Sequence, residues 1–480
     1  MKYLSQITCS IIFHLSFYYC DAQSITVLAG TEKNQIIDSN TIIRISSFHV
    51  YGNKKTKKYI ILREVQLQEG DTMTISRLYK ELAQAKQQVY NTTLFSDVEI
   101  HPVFIHPDST DISITVNEKW YLYPTPQFQL IDRNFNEWIK DYNGDLNRVI
   151  YGIKFAHYNL SGRGDRLRIY LLNGYTRNFA FIYNAPYSNP ALSEGFSVSA
   201  SFTQNREVIY KTGFDNKLLK YANEGFVRTS FSSAISYIRR IDFFRRQTFG
   251  ISYTQINVND SILTPAYNPS YFNSNTSSKG FPEISYSYKY SNTNNVNYPL
   301  KGRAFAIGLI KRGTAFTGGI NMFVIDADYN RYLPHGSNWY SSFHVITKLK
   351  APFTQPYINQ RALGYGEFFL RGLENYVVDG VIALLGKYSL RKKLLSFKIP
   401  VPVKNKYISS IPFAFYAKTY ADAGYVYNKK EFNSRLNNRF LYTGGFGLDI
   451  LSLYDINLRL EYSFNQLGEK GLFLHAKGGF

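Results

Sequence analysis

The stretch Gly364–Asp379, with the sequence GYGEFFLRGLENYVVD, places one arginine and one glycine inside a mostly apolar and aromatic run. Its centre is Leu370-Arg371-Gly372-Leu373. An arginine buried without a partner costs several kcal/mol, because its charge loses the solvation of water. If this segment is buried in the fold, a carboxylate elsewhere in the chain must therefore pair with Arg371.

The first residues indicate export from the cytoplasm. Tyr3–Cys20 contains no Lys, Arg, Asp or Glu, which is typical of a secretory signal peptide over residues 1–22 that is cut after Ala22. A lipoprotein signal at Cys20 is disfavoured because the bulky Tyr19 precedes it. The two cysteines are Cys9 and Cys20, so the expected mature protein has no disulfide and no thiol chemistry. Residues 23–40 follow as an N-terminal extension.

The rest of the sequence contains no apolar run of 18 or more residues, which excludes a transmembrane helix. Two classes remain, a secreted soluble protein or a β-barrel, since a closed barrel also satisfies every backbone polar group in lipid.

The net charge of +20 is unevenly distributed. Residues 41–122 hold ten basic and nine acidic residues, so almost all of the excess lies in residues 123–480. A basic chain suggests nucleic acid as a partner, but an exported protein rarely meets any. Lipid phosphates or a charged, water-filled interior fit better.

Residues 41–122 read as a small α+β domain. Strand-like residues at 41–51 are followed by helical segments at 57–65 and 74–90 and by two strands at 95–104 and 111–120. The second helix carries one apolar face, made of Leu78, Leu82, Ala85 and Val89. The order β-α-α-β-β predicts helices packed on one face of a sheet.

From Tyr123 onward apolar and polar residues alternate with a period of two, with charged residues on the polar side. Three runs show it, at residues 196–203, 284–291 and 456–465. A polar face with charges opposite an apolar face predicts a wet interior and a lipid-facing exterior. The many tyrosines suit a membrane interface, where the ring is buried and the hydroxyl stays wet. We therefore predict an all-β transmembrane barrel.

The length of this region limits the number of strands in the barrel. At about 10 residues per spanning strand plus turns, residues 123–480 accommodate roughly 12 to 18 antiparallel strands. The polar stretch Asn257–Gly280 is a candidate external loop. The chain ends in an alternating strand whose apolar face carries Leu472, Leu474 and Phe480.

The first domain resembles the polypeptide-transport-associated (POTRA) family. Its landmarks occur in order: VYGNKKT at 50–56, LRE at 62–64, EGD at 69–71, NTTLFSDV at 91–98 and VNEK at 116–119. Gly52, Asn53 and Phe95 are taken as landmark positions of this resemblance, with Gly52 and Asn53 at the turn after the first strand and Phe95 at the start of the strand that follows the second helix. The resemblance implies a periplasmic domain that receives extended clients along a sheet edge.

The barrel region resembles the BamA/TamA superfamily of bacterial surface antigens, outer-membrane barrels that assemble or translocate proteins. The motifs that carry the resemblance are Asn159–Gly164, Tyr298–Gly302, the Asp422-Ala423-Gly424 strand and the Leu370–Leu373 tetrapeptide. It implies sixteen strands and a sixth external loop whose tip enters the barrel. Arg371 would then be anchored by Asp422, with Gly424 beside it.

Two positions depart from the family pattern. Relatives usually have an aromatic residue after the arginine-glycine pair, where this chain has Leu373. Relatives often carry an acid on the strand after the loop, but Leu384–Leu395 contains none. These departures leave Asp422 as the expected sole partner of Arg371.

The resemblance implies an assembly factor in the outer membrane of a Gram-negative bacterium. Unfolded outer-membrane proteins would be its clients, membrane lipids and lipopolysaccharide its surroundings, and accessory lipoproteins further partners. A client strand would pair at a lateral seam that Gly478, Gly479 and Phe480 weaken, since glycine stabilises strands poorly. A translocation pore of the two-partner secretion type is the alternative, and a passive channel is a weaker one.

Nothing in the sequence favours an enzyme. The eight histidines are scattered, and neither an HExxH nor a GxSxG motif occurs. His101 and His106 each precede a proline near a strand end, as surface-loop residues do. We expect no catalytic residue, no metal and no cofactor.

Overall fold

The computed structural model describes residues 40–131, 143–314, 320–366, 368–401, 410–429, 433–453 and 456–477. The expected signal peptide, nearly all of the N-terminal extension and the expected seam residues Gly478, Gly479 and Phe480 lie outside these ranges.

The elements are numbered along the chain. The N-terminal domain contains β1 (Ile42–Tyr51), α1 (Lys58–Leu62), β2 (Thr72–Thr74), α2 (Ile75–Asn91), β3 (Phe95–His106) and β4 (Ser109–Glu118). The strands that follow are β5 (Leu122–Leu130), β6 (Val149–His157), β7 (Arg166–Gly174), β8 (Thr176–Ala185), β9 (Glu194–Asn205), β10 (Glu207–Thr212), β11 (Leu218–Ala222), β12 (Arg228–Arg240), β13 (Arg245–Val258), β14 (Ser278–Thr293), β15 (Gly302–Arg312), β16 (Met322–Pro334), β17 (Trp339–Ala351), β18 (Arg361–Leu363), β19 (Val378–Asp379), β20 (Ile382–Pro400), β21 (Ser410–Tyr427), β22 (Phe440–Leu451), β23 (Asn457–Asn465) and β24 (Lys470–Lys477).

The N-terminal domain is a four-stranded sheet with the order β2-β1-β4-β3. The α2 face predicted from the sequence is buried against it, at Leu78, Leu82, Ala85 and Val89. The short strand β2 is absent from the predicted element order, since three residues are too few to show a period of two.

The rest of the chain forms an antiparallel sheet of sixteen strands in the described residues, running from β5 to β24. Successive strands are neighbours throughout, apart from two small hairpins, β10–β11 and β18–β19, that lie outside the sheet. The predicted antiparallel architecture with about sixteen strands is confirmed.

The two faces of this sheet differ as the alternation predicts. Ile235, Ile251 and Ile284 are directly opposite one another on β12, β13 and β14, and they are 64%, 66% and 63% exposed. The adjacent position Glu283 belongs to the other face, where it pairs with Arg312 at 2.7 Å. Outward isoleucines and inward ion pairs suit a lipid exterior and a polar interior.

None of the helices in the described chain is long and apolar enough to cross a membrane.

Two features of the sheet position the functional site. The segment 352–381 leaves the end of β17, forms the β18–β19 ladder and returns to β20. At the other end of the fold, the turns between barrel strands contact the N-terminal domain.

Candidate functional site

The loop between β17 and β20 packs its apolar side chains into a closed cluster. Leu370 and Leu373, on either side of the Arg371-Gly372 pair, are both fully buried. Their neighbours come from the loop itself, the β18–β19 ladder, β20, β21, β22 and the connection into β22: Leu363, Tyr376, Val378, Ala383, Leu385, Val426, Leu436 and Leu441. Each buried leucine contributes about 1.5–3 kcal/mol, so these contacts hold the loop tip against the sheet.

Arg371 projects from the loop tip toward β20 and β21. Its Nε donates to Asp422 Oδ2 at 2.9 Å, its Nη2 donates to Oδ1, and its backbone N–H donates to Oδ2 at 3.1 Å. The guanidinium carbon lies 4.0 Å from the centre of the Tyr420 ring, within cation–π range. Arg371 is 9% exposed and Asp422 3% exposed. The structure therefore brings the two residues together in a buried, bidentate ion pair, the geometry for which arginine is suited.

The strand after the loop contributes to this site without an acidic residue. Arg371 Nη1 donates to Ser389 Oγ at 2.8 Å, and Nη2 donates to the Tyr388 carbonyl at 3.1 Å. The expectation that Arg371 depends on Asp422 alone is therefore too narrow. Neutral oxygens also accept hydrogen bonds from a guanidinium group, so β20 can hold the arginine with a hydroxyl and a carbonyl.

Two glycines allow the loop to approach the sheet closely. Gly372 has a φ of +91°, and a Cβ there would lie 2.9 Å from Ser463 Cβ on β23. On β21, a Cβ on Gly424 would lie 3.4 Å from Leu370 Cδ1. The arginine-glycine and aspartate-x-glycine motifs thus meet at a contact that larger residues would crowd.

A second buried network lies beside the first, and the sequence did not predict it. Lys418 on β21 pairs with Asp449 on β22 and with Glu461 on β23, the latter at 2.6 Å. Asp449 also accepts from the Tyr298 hydroxyl at 2.8 Å and lies 3.6 Å from Arg391. A lysine between two carboxylates balances charges that would be costly to bury alone.

This network could have been found from one signal in the sequence. Glu461 lies on the polar side of the alternating run at 456–465, so it is an inward-facing charge on a barrel strand. Its cation, Lys418, is 43 positions earlier in the sequence. Only the antiparallel register, which places Lys418 opposite Gly447 and Gly447 opposite Glu461, brings the two together.

The N-terminal domain is docked onto the turns at one end of the barrel by a buried ion pair. Arg240, the last residue of β12, donates from Nη1 and Nη2 to the two oxygens of Glu64 at 2.7 and 2.6 Å. Burial raises the pKa of Glu64 to about 7, while the positive charges of Arg63 and Arg246 lower it. The carboxylate therefore depends on its arginine neighbours to keep its charge.

The turn between β6 and β7 makes another contact with this domain. The buried Asn159 donates from Nδ2 to Thr56 Oγ1 at 3.0 Å and accepts from the Gly164 N–H at 2.8 Å. The backbone N–H of Lys57 donates to the Gly162 carbonyl at 3.0 Å. The motif Asn159–Gly164, singled out as a strand–turn signature, is thus one of the parts of the barrel that contact the domain.

The POTRA landmarks occupy structural positions in the domain. Gly52 has a φ of +86°, and a Cβ there would meet the Val116 carbonyl oxygen at 2.0 Å. Asn53 Nδ2 donates to the Thr56 carbonyl at 3.1 Å, closing the turn before α1. Phe95 is buried in the domain core.

The two end strands of the sixteen-stranded sheet, β5 and β24, have no hydrogen-bonded ladder with each other in the described residues. β24 pairs with β23 on one side from Lys470 to Lys477. On its outer face, Leu472 and Leu474 are 70% and 63% exposed. The structure therefore has two strand edges where a closed barrel would have none.

The described residues thus form a sixteen-stranded antiparallel sheet with a polar inner face, a loop anchored on that face and a small α+β domain docked at one end, which is the architecture of an outer-membrane β-barrel. Two family models match the chain: POTRA, described as a surface antigen variable number repeat, over residues 43–119, and the Omp85 superfamily domain over residues 159–377. The chain belongs to the Omp85 superfamily and carries a POTRA domain. The resemblance drawn from the motifs is confirmed.

Solved structures agree with this assignment at the level of the fold. BamA from Haemophilus ducreyi lacking POTRA domains 1–3 is 16% identical with a TM-score of 0.50, covering 91% of this chain and 84% of that one. CdiB from Escherichia coli is 10% identical with a TM-score of 0.51, covering 90% and 75%. No curated protein sequence matches the chain. Omp85 barrels with a POTRA domain are outer-membrane proteins.

Proposed function

We propose that this protein inserts β-barrel proteins into the outer membrane of a Gram-negative bacterium, by pairing a client strand with an end strand of its own sheet. The observation that carries the proposal is the pair of end strands, β5 and β24, without a ladder between them in the described residues. Unpaired backbone groups are costly in lipid, so such an edge is an acceptor for an incoming strand.

The POTRA domain supplies a second edge, on the side from which clients arrive. β3 lies at the border of its sheet and is twelve residues long, whereas β2 at the other border has three. Val103 and Ile105 on β3 are exposed. An extended apolar segment of an unfolded outer-membrane protein can add to this strand. In this proposal residues 41–122 are periplasmic, residues 123–480 span the membrane, and residues 1–22 are removed on export.

The Arg371 site has a supporting role in this mechanism. The loop tip contacts β20 and β21 through the arginine and β23 through Gly372. It therefore holds the strands next to β24 in register while the edge of β24 accepts a client. The site performs no chemistry, and we propose no catalytic residue or cofactor for insertion.

Secretion of a dedicated substrate is the second candidate. The likeness to CdiB supports it as much as the likeness to BamA supports insertion, because the TM-scores are 0.51 and 0.50. A passive channel is less favoured, since the loop tip contacts the inner side of β20, β21 and β23 and a channel does not account for the POTRA domain.

Depletion of the protein in its own host separates these functions. Insertion predicts a broad loss of membrane barrels from the outer-membrane fraction, measured by quantitative proteomics. Loss of one exported protein with normal barrel levels would instead support secretion. Altered permeability with an unchanged outer-membrane proteome would support a channel and contradict both.

A further inference from the structure

Three metal-ligating side chains converge where the loop meets the last two strands. Glu374 lies three residues after Arg371 in the loop, Glu461 lies on β23 and His475 lies on β24, and their ligand atoms are all within 4.8 Å of one another. Each comes from a different element, so the sequence spacing gives no metal motif.

The distances match those between the ligands of one metal ion. His475 Nε2 is 3.3 Å from Glu461 Oε2 and 3.4 Å from Glu374 Oε1. A tetrahedral zinc ion with bonds of about 2.0–2.1 Å separates its ligand atoms by about 3.4 Å. Moreover, His475 Nε2 and Glu374 Oε1 are buried, and apart from these ion-pair contacts neither makes a hydrogen bond in the described structure. Buried polar atoms without a hydrogen bond are rare and call for a ligand or an ion.

The surroundings orient these groups toward a common point. Glu374 Oε2 accepts from the Gly372 N–H at 2.7 Å, which leaves Oε1 for the site. Glu461 Oε1 is held by Lys418 at 2.6 Å, which leaves Oε2. The His475 ring stacks on Phe369 of the loop at 5.5 Å. Metal ligands are typically oriented by hydrogen bonds and packing of this kind.

We propose that Glu374, Glu461 and His475 bind a divalent first-row metal ion, with Zn²⁺ the best match to one imidazole and two carboxylates. Because the three ligands belong to the loop, β23 and the end strand β24, the ion ties the end strand to the anchored loop. Metal binding would therefore hold the edge of β24 in place. An ion pair of protonated His475 with the two carboxylates is the competing explanation of the same contacts.

Titration of the purified full-length protein in detergent, with any affinity tag removed, tests the site. We expect Zn²⁺ to bind with one equivalent per chain by calorimetry, and His475→Ala and Glu374→Gln to weaken binding by about tenfold or more. The matched control is His344→Ala, since His344 also contacts a carboxylate, Asp328 at 2.8 Å, but contacts no second one among the described residues. Unchanged binding in His475→Ala, or no binding by the wild type, would overturn the proposal and leave the ion pair.

Two further readouts keep the test decisive if a variant fails to fold. Co²⁺ added to the wild type should give the strong visible absorption of a four- or five-coordinate site, and the weak spectrum of aqueous Co²⁺ would contradict the assignment. Zn²⁺ should also slow hydrogen exchange of the β24 amides in the wild type by about tenfold or more relative to the metal-free wild type, and an unchanged exchange rate would contradict the proposal. Neither measurement needs a client protein, so the metal site and the insertion function can fail separately.

Discussion

Replacement of Arg371 by alanine should strongly destabilise the folded barrel. The substitution leaves Asp422, which is 3% exposed, without the cation that contacts both of its oxygens. Breaking a buried ion pair by removing one partner costs about 3–5 kcal/mol, because the remaining charge stays buried. We expect a loss of this size in the free energy of unfolding.

The loss can be measured from the urea concentration at which the barrel stops migrating as a compact species on a cold SDS gel. Arg371→Lys should fall between the wild type and Arg371→Ala, since an ammonium group cannot make the bidentate contact. Asp422→Asn combined with Arg371→Ala should cost less than the sum of the two single substitutions, because the pair is coupled. Arg439→Ala is the matched control, an exposed arginine between β21 and β22. The reasoning is refuted if Arg371→Ala unfolds within about 1 kcal/mol of Arg439→Ala.

Three further substitutions test the other contacts. Gly372→Ala should lower the free energy of unfolding by about 1–3 kcal/mol, because φ is positive at this position and the new Cβ would be crowded. The loss should exceed that of Gly336→Ala, where φ is +73° but no atom lies near the new Cβ. The urea midpoints of unfolding of the two variants test this difference. Arg240→Ala should weaken docking of the POTRA domain by about 3–5 kcal/mol, because Glu64 would remain buried without its bidentate partner, while the barrel stays folded. Limited proteolysis should then release the domain faster than in the wild type. Lys418→Met should lower the free energy of unfolding by about 3 kcal/mol or more, because the buried carboxylates of Asp449 and Glu461 lose their shared cation. A urea midpoint of unfolding equal to that of the wild type would contradict this.

The parts of the fold that the sequence predicts are those that depend on local pattern. A period of two defines a barrel strand whatever its neighbour is, so the runs at 196–203 and 284–291 indicate both faces correctly. The α2 face follows in the same way from a period of 3.6. The pairing of Arg371 with Asp422 follows from the resemblance of their two motifs to the BamA/TamA superfamily and not from local pattern.

The parts that the sequence does not predict depend on register between distant segments. Glu64 and Arg240 are 176 positions apart, and no sequence motif near either residue indicates that the two form an ion pair. His475 reaches Glu374 and Glu461 only because the loop folds onto β23 and β24. The contact between Ser389 and Arg371 could not be predicted for a different reason. Serine is common on barrel strands, and no sequence pattern indicates which serine hydroxyl takes the place of the expected acid.

The central claim is that a client strand pairs with the edge of β24, and site-specific disulfide cross-linking tests it most directly. Cys9 and Cys20 are the only cysteines of the sequence, so Leu474→Cys introduces one thiol into the β24 edge of the barrel region. The control is Ile251→Cys in the middle of the sheet, which is 66% exposed while Leu474 is 63% exposed. A membrane-barrel client with one cysteine in its terminal strand, arrested during assembly, should cross-link to Leu474→Cys and not to Ile251→Cys. Equal cross-linking at both positions, or none at Leu474→Cys while the client still assembles, would contradict the account.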